Sequence, residues 1–167
     1  MRPFQLSDFK SIRHFVFDID GVLTNGSLIV SSDGNLLRSM NIRDGYALQL
    51  AIKKGFTVSI ISGAAGYTLV KRFAGLGIDD VYLGVSNKIE KLNETVNKHG
   101  FNKEAMLYMG DDMPDLQVMQ QVFFPCCPAD ACNEIKAASK YISLLNGGEG
   151  CVREVIEKVL KLNECWE

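Results

Sequence analysis

Asp18 and Asp20 lie directly after an apolar run, and their acidic side chains could take part in chemistry. A β-strand projects residues i and i+2 to the same side, so a strand that ends here would direct both carboxylates toward one point. In open α/β sheets, ligands bind beyond the carboxyl ends of the strands. Gly21 would then allow a tight turn and a close approach of the backbone to a ligand. Asp and Gly are also ordinary turn residues, so the pair alone does not separate a catalytic site from a structural turn.

Polar residues also follow three later apolar runs, which span residues 57–61, 80–83 and 105–109. Ser62 and Gly63 follow the first of these runs, and Lys88 follows the second. A hydroxyl, turn backbone N–H groups and a cation together suit a phosphoryl group. A carboxylate can attack phosphorus as a nucleophile, and a neighbouring carboxylate can act as general acid and then as general base. The set therefore predicts a phosphatase in which Asp18 forms an aspartyl-phosphate and Asp20 transfers the proton.

Carboxylates are concentrated at these strand ends, at Asp18, Asp20, Asp111, Asp112 and Asp115. Like charges in one crevice raise one another's pKa, so such a cluster needs a counter-ion. Oxygen ligands favour a hard cation, and Mg²⁺ bound through a few carboxylates is the usual solution. We expect Asp111 to be a ligand, whereas capping of a helix N-terminus explains Asp112 and Asp115 equally well.

Strand and helix patterns alternate along the chain, which predicts a doubly wound parallel α/β sheet in one domain over residues 1–167. Short apolar runs bounded by Gly or polar turns indicate buried strands at 14–19, 57–61, 80–83, 105–109, 123–124 and 141–142. Helical patterns cover residues 45–54, 67–76, 86–99, 114–120, 129–139 and 151–162. Cys126 and Cys127, which are flanked by prolines, are expected in the loop that leaves the fifth strand.

Residues 27–40 depart from the alternation, because Asp33-Gly34 separates two β-prone runs. Asp-Gly in this setting predicts a β-hairpin. The apolar residues of this hairpin exceed what a two-stranded flap can bury by itself, and an isolated hairpin is marginal in water. The hairpin could fold back on its own domain, but packing against other subunits is the favoured interpretation.

The composition is that of an ordinary soluble globular domain, with 47% hydrophobic residues, 23% charged residues and a formal net charge of -2 over 167 residues. Lys and Arg are scattered, which argues against a nucleic-acid partner. No apolar run approaches the ~18 residues of a membrane span. The five Cys form no C-x-x-C pair and the first residues lack an apolar signal core, so we expect a cytoplasmic protein without membrane association.

Four motifs resemble those of the haloacid dehalogenase (HAD) superfamily of phosphatases, namely Asp18 to Thr24 (DIDGVLT), Ile60 to Gly63 (IISG), Ser86 to Lys88 (SNK) and Gly110 to Asp115 (GDDMPD). Within this superfamily the chain is similar to the capless 3-deoxy-D-manno-octulosonate 8-phosphate (KDO 8-phosphate) phosphatases. The features that carry this closer match are Asn41 to Tyr46 (NIRDGY), Arg72, and Gly147 to Gly150 (GGEG) with Arg153 and Glu154.

The resemblance implies a HAD-like core without a cap domain and a Mg²⁺-dependent homotetramer of lipopolysaccharide sugar synthesis. It implies that Asp18 is the nucleophile and that Asp20 is the acid/base. The implied metal ligands are Asp18, the backbone carbonyl of Asp20, and Asp111. The implied phosphate ligands are Ser62, Gly63 and Lys88, and the implied contacts to the sugar acid are Arg43, Arg72 and Gly148.

The chain departs from the family pattern at positions that bear on the substrate. Ala64 and Ala65 stand where relatives often carry Arg-Lys, and Glu149 stands where an Arg is common. Ser62 replaces the commoner Thr and keeps the hydroxyl. Phosphatases for the nine-carbon acid KDN 9-phosphate carry a Glu and a Lys where this chain has Ala64 and Gly75. KDO 8-phosphate is therefore the expected substrate, with KDN 9-phosphate or sialic acid 9-phosphate as the alternative.

A non-catalytic phosphate receiver also uses strand-end carboxylates, Mg²⁺, a hydroxyl and a Lys, but it lacks an acid/base two residues after the phosphorylated Asp. Asp20 therefore favours a hydrolase over a receiver. A phosphomutase needs an enclosure that excludes water, and a dehalogenase needs neither Asp20 nor the metal. With no cap between residues 21 and 41, we expect a neighbouring subunit's loop 147–150 or tail 165–167 to cover the crevice, so that subunits share the active site.

Overall fold

The structure is a computed structural model that describes residues 5–166. Residues 1–4, on which part of the prediction for the chain start rests, and Glu167 of the predicted tail lie outside the described residues. The strands in chain order are β1 (His14–Phe17), β2 (Ile29–Val30), β3 (Leu36–Leu37), β4 (Thr57–Ile61), β5 (Asp80–Tyr82), β6 (Met106–Met109), β7 (Phe124–Cys127) and β8 (Tyr141–Ile142). Six of them form a parallel sheet in the order β5-β4-β1-β6-β7-β8, and β2 and β3 form a separate antiparallel hairpin.

The helices are α1 (Ile42–Lys53), α2 (Tyr67–Ala74), α3 (Lys88–His99), α4 (Leu116–Met119), α5 (Asn133–Ala138) and α6 (Cys151–Leu162). One apolar cluster joins α1, α2 and α6 to the sheet, and a second cluster joins α3, α4 and α5 to it. The predicted doubly wound α/β architecture is therefore confirmed. None of the helices in residues 5–166 has the length and apolar character needed to cross a membrane.

The central strand β1 fixes where the first motif emerges. Phe15 and Phe17 are fully buried in one apolar cluster and Val16 lies in the other, so this strand is covered on both faces. Its register pairs Phe17 with Ile60 of β4 and with Met109 of β6. The residues that follow these three strands consequently meet at the middle of the carboxyl edge of the sheet.

Several element boundaries differ from the prediction for local reasons. Helix α1 begins at Ile42 rather than near residue 45, because the Asn41 side chain accepts a hydrogen bond from the backbone N–H of Arg43. Helix α5 begins four residues later than predicted. The prediction of a loop at Cys126 and Cys127 was wrong, since both residues belong to β7 and pair with β8. The flanking prolines were therefore a misleading turn signal.

The predicted hairpin is confirmed, and it projects from the domain. Its turn is closed by Ser31, whose N–H donates to the Asn35 carbonyl at 3.0 Å. The apolar side chains of its two strands are exposed by 66% and 70% in β2 and by 47% and 51% in β3. The single chain therefore leaves these side chains in contact with water.

The loop before α6 packs against the loop that follows β1. A Cβ atom on Gly147 would lie 2.0 Å from the carbonyl oxygen of Gly21, so a larger residue does not fit there. The cap of α6 is a glycine without a side chain, and Asp44 of α1 takes over that function by accepting the N–H of Arg153 at 2.7 Å. The second carboxylate oxygen of Asp44 has no hydrogen-bond partner among the described residues.

The substitution Asp44→Asn is predicted to change how stability depends on pH. Burial raises the pKa of Asp44 to about 6, although the hydrogen bond from Arg153 opposes this shift. A raised folded-state pKa gives stability that is complete below the ordinary pKa and is lost as the pH rises through about 6. Between about pH 4 and pH 7, the free energy of unfolding of the wild type should fall by about 2 kcal/mol relative to the variant.

Urea unfolding across this pH range measures that difference. The amide of the variant keeps an acceptor oxygen for the N–H of Arg153 but carries no charge. The variant Glu104→Gln provides a control for the removal of one carboxylate, because Glu104 is exposed. A difference between wild type and Asp44→Asn that stays constant with pH would contradict the assignment.

Candidate active site

A crevice of about 470 Å³ lies at the carboxyl edge of the sheet. Its walls come from the segments after β1, β4 and β6 and from the start of α3. The residues predicted for catalysis, phosphate binding and metal binding all line it, together with the two further acids of the fourth motif: Asp18, Asp20, Ser62, Gly63, Lys88, Asp111, Asp112 and Asp115. The fold therefore brings these sequence-predicted residues together.

Asp18 is the most enclosed acid of the first motif, with 6% of its surface exposed. Its carboxylate lies 2.7 Å from Lys88 Nζ and accepts hydrogen bonds from the Ser62 hydroxyl and from the N–H of Ile19. Burial raises the pKa of Asp18, the negative charge of Asp115 raises it further, and Lys88 opposes both effects. The Lys88 cation therefore favours the ionised form that a nucleophile requires.

Lys88 is the first residue of α3 and follows the cap residue Asn87, whose side chain accepts the N–H of Glu90. Its Nζ lies 2.7 Å from both Asp18 and Asp115. Burial alone would lower the pKa of Lys88, but the two carboxylates raise it above its ordinary value. The side chain therefore remains a buried cation at the base of the crevice.

Asp115 orients its neighbours from the floor of the crevice. Its Oδ1 accepts the Tyr108 hydroxyl at 2.5 Å and Lys88 Nζ at 2.7 Å, and its Oδ2 accepts the N–H of Asp111 at 3.2 Å. A Cβ atom on Gly110 would lie 2.4 Å from the Asp115 side chain, so this packing needs glycine. Tyr108 was missed by the sequence analysis, because it reads as one more apolar residue of a buried strand.

Asp111 completes a group of acids that could hold a metal ion. Carboxylate oxygens of Asp18, Asp111 and Asp115 all lie within 4.8 Å of one another. Burial and the charges of Asp115 and Asp18 raise the pKa of Asp111 to about 7. Gly21 makes room for Asp111, because a Cβ atom there would lie 2.0 Å from Asp111 Oδ2. A hard cation would relieve the electrostatic repulsion among these carboxylates.

Asp112 has a structural contact of its own. It is exposed, and its side chain accepts the N–H of Met113 at the start of the short 3-10 turn Met113–Asp115. The structure therefore shows a capping contact for Asp112. Asp115 is instead buried, and its carboxylate contacts Lys88.

Asp20 lies beside Asp18 but has a different environment. Both oxygens of its carboxylate accept hydrogen bonds from Arg38, at 2.7 Å from Nε and 2.8 Å from Nη2. The Thr24 hydroxyl adds a longer contact of 3.3 Å to Oδ1. Arg38 follows β3 of the hairpin and was missed by the sequence analysis. A basic residue at the end of the predicted hairpin was the only available signal.

The residues that the resemblance assigned to the sugar acid lie elsewhere in the single chain. Arg43 lines a separate cavity of about 490 Å³ along α6, next to Glu149. Arg72 lines a groove of about 290 Å³ between the hairpin and α2. Gly148 packs on the backbone of Thr24 and donates its N–H to the Val22 carbonyl. Their contact with substrate stays a prediction.

Comparisons with known proteins agree with this geometry, although no family model matches the chain. The chain is 34% identical over 158 residues to the KDO 8-phosphate phosphatase of Salmonella typhimurium, which covers 95% of this chain and 84% of that protein. A solved KDO 8-phosphate phosphatase from Moraxella catarrhalis, in complex with a magnesium ion, a phosphate ion and KDO, superposes with a TM-score of 0.90 at 32% identity over 94% of this chain and 90% of that one.

A hydrolase of the HAD superfamily from Legionella pneumophila superposes with a TM-score of 0.92 at 31% identity, covering 95% of this chain and 87% of that one. The sequence match and both structural matches extend over nearly the whole chain. The chain therefore belongs to the KDO 8-phosphate phosphatase family of the HAD superfamily and is a phosphatase.

Proposed function

We propose that the protein is a Mg²⁺-dependent phosphatase that converts KDO 8-phosphate to KDO and inorganic phosphate through an aspartyl-phosphate. The observation that carries this proposal is the placement of Lys88 Nζ against Asp18, beside the Ser62 hydroxyl and Asp111 in one crevice. The names of the relatives and the KDO bound by the Moraxella catarrhalis enzyme support the choice of sugar acid.

In the first step a carboxylate oxygen of Asp18 attacks phosphorus while the bond from phosphorus to the sugar oxygen breaks. Asp20 gives its proton to the departing sugar oxygen, so that an alcohol leaves rather than an alkoxide. Lys88, the Ser62 hydroxyl and the turn N–H groups at Gly63 hold the phosphoryl oxygens. The products of this step are the free sugar acid and a phosphorylated Asp18.

In the second step Asp20 takes a proton from a water molecule whose oxygen attacks the phosphorus of the aspartyl-phosphate. The bond from phosphorus to Asp18 breaks, which regenerates the carboxylate and releases inorganic phosphate. Asp20 thus returns to the protonated form that begins the next cycle. Its 32% exposed side chain lies within reach of water at the mouth of the crevice.

The residues present fit a magnesium ion. Asp18, Asp111 and the backbone carbonyl of Asp20 would hold it, and the carboxylate of Asp115 lies within the same group of acids. Such an ion would supply positive charge that offsets the negative charge of the carboxylates and of a bound phosphate.

The proposed mechanism predicts unequal effects of two substitutions in the first motif. Asp18→Asn should abolish turnover of KDO 8-phosphate, because an amide cannot form the aspartyl-phosphate. Asp20→Asn should slow turnover by about 10²- to 10⁴-fold, because proton transfer is lost while the nucleophile remains. Steady-state phosphate release, with KDN 9-phosphate as a second substrate, measures these effects and the preference between the two sugar acids.

Asp79 offers a matched control, because it is exposed and precedes β5 at the opposite end of the sheet. Asp79→Asn should retain wild-type turnover. Full activity of Asp18→Asn would exclude the mechanism, and a higher kcat/KM for KDN 9-phosphate would exclude KDO 8-phosphate as the preferred substrate.

Metal binding should be visible without any assay of activity. At about one hundred times its dissociation constant, Mg²⁺ should raise the free energy of unfolding by about 2.7 kcal/mol. Asp111→Asn should lose most of this gain because it removes a charged ligand, whereas Asp79→Asn should keep it. Thermal unfolding with and without Mg²⁺ tests the prediction, and an equal gain in wild type and Asp111→Asn would show that Asp111 is not a ligand.

We also propose that the hairpin forms the contact between subunits of a homo-oligomer, with a tetramer as the expected size. Its exposed apolar side chains support this assignment. The segments expected to close a neighbour's crevice contact their own chain: Gly147 packs on Gly21, and Trp166 lies edge-on to Tyr46 and under the Arg153 guanidinium. We therefore assign the contact between subunits to the hairpin rather than to these two segments.

Charges on the hairpin should dissociate the oligomer. Ile29 and Leu37 face each other across the hairpin, so Ile29→Asp with Leu37→Asp would place two carboxylates in the interface. We expect a monomer by sedimentation velocity and a lower kcat/KM. Leu144→Asp is the control, since Leu144 is 85% exposed outside the hairpin and should leave the mass unchanged. A fully active monomer would contradict a shared active site.

A further inference from the structure

Arg38 links the hairpin to the catalytic crevice. It follows β3 directly, and although the neighbouring hairpin side chains are exposed, its own side chain is only 7% exposed. A surface ion pair between flexible side chains contributes little to stability. The guanidinium of Arg38 is enclosed against Asp20, so this ion pair is not a flexible surface pair of that kind.

The contact between Arg38 and Asp20 restricts the orientation of the carboxylate. Nε donates to Oδ1 at 2.7 Å and Nη2 donates to Oδ2 at 2.8 Å, so the guanidinium and carboxylate form a bidentate pair. The Thr24 hydroxyl supports Oδ1 from the same loop. Each carboxylate oxygen has two lone-pair sites, so Arg38 and Thr24 fill both sites of Oδ1 and leave one site on Oδ2. That site can carry the proton given to the leaving oxygen and can accept a proton from water. The carboxylate can therefore be held and still exchange a proton with the crevice.

We propose that Arg38 is a positioning residue that holds the Asp20 carboxylate in the orientation needed for proton transfer to the leaving oxygen. The proposal rests on the proposed function, because it requires Asp20 to be the acid/base. Misplacing a catalytic group by about 1 Å can cost about 10²-fold in rate. Arg38 follows Leu37 of β3, so the hairpin carries the side chain that contacts Asp20.

Comparing the rates of two substrates whose leaving groups differ in basicity distinguishes positioning of the acid from a general structural effect. The sugar alkoxide of KDO 8-phosphate needs a proton as it departs, whereas the nitrophenolate of p-nitrophenyl phosphate does not. Release of the leaving group, measured in a single turnover with enzyme in excess, follows only the step that phosphorylates Asp18. Arg38→Met removes the N–H donors, and Arg38→Lys keeps the charge but loses the fork.

Arg38→Met should slow release of the sugar by about 10- to 100-fold and release of nitrophenolate by less than about threefold. Arg38→Lys should recover part of the lost rate with the sugar phosphate. In an Asp20→Asn background, Arg38→Met should cause no further slowing, because the group it positions is already absent. Sedimentation and circular dichroism check the fold and assembly, and Arg38→Lys alone carries the test if Arg38→Met does not fold.

If Arg38→Met slowed release of the sugar and release of nitrophenolate equally, the proposal would be overturned and Arg38 would be a structural residue. An unchanged or faster release of the sugar would also overturn it, as would a further loss in the Asp20→Asn background. Failure of the proposed function looks different, because the wild type would then not hydrolyse the sugar phosphate or Asp18→Asn would remain active.

Discussion

The structure depends most on the ammonium group of Lys88, which lies 2.7 Å from two buried carboxylates, Asp18 and Asp115. Burial of these acids is costly, and removing one partner of a buried ion pair typically costs about 3–5 kcal/mol because a charge is left uncompensated. Lys88 therefore offsets part of the cost of burying these acids, and in the proposed mechanism the same contact favours the ionised form of Asp18. The proposed mechanism therefore uses for phosphoryl transfer the same ion pairs that compensate buried charge in the fold.

Rigid elements hold this charge cluster in place. Asp18 follows the central strand β1, with the ends of β4 and β6 on either side, and Lys88 begins α3. Two glycines set the remaining distances, since a Cβ atom at Gly21 or Gly110 would collide with Asp111 or Asp115. Side chains on strand ends and a helix start are positioned more precisely than side chains on long loops, which suits a site that must align a nucleophile with phosphorus.

The sequence allowed prediction of the features that follow from local rules. Apolar runs and turns located the strands of the sheet, and the polar residues after them located Asp18 and Lys88. Arg38 and Tyr108 could not be found in this way, because each bonds an acid that is 18 or 7 residues away and carries no local signal. The loop predicted at Cys126 failed since flanking prolines indicate a turn, whereas the tertiary structure pairs this segment with β6 and β8. Arg43 and Arg72 line cavities other than the crevice, and Arg72 shares its groove with Arg38.

The open crevice fits hydrolysis better than transfer between sugars, because the second step of the proposed mechanism needs a water molecule at a phosphorylated Asp18. Between β1 and α1 the described chain holds only a short loop and the hairpin, so enclosure is not available there from a separate domain. An open site has weaker electrostatic interactions than a dry one. The bidentate pair of Arg38 with Asp20 offsets part of this disadvantage, since a fixed carboxylate needs less reorganisation in water. In the proposed mechanism the hairpin therefore influences proton transfer through Arg38 without covering the substrate.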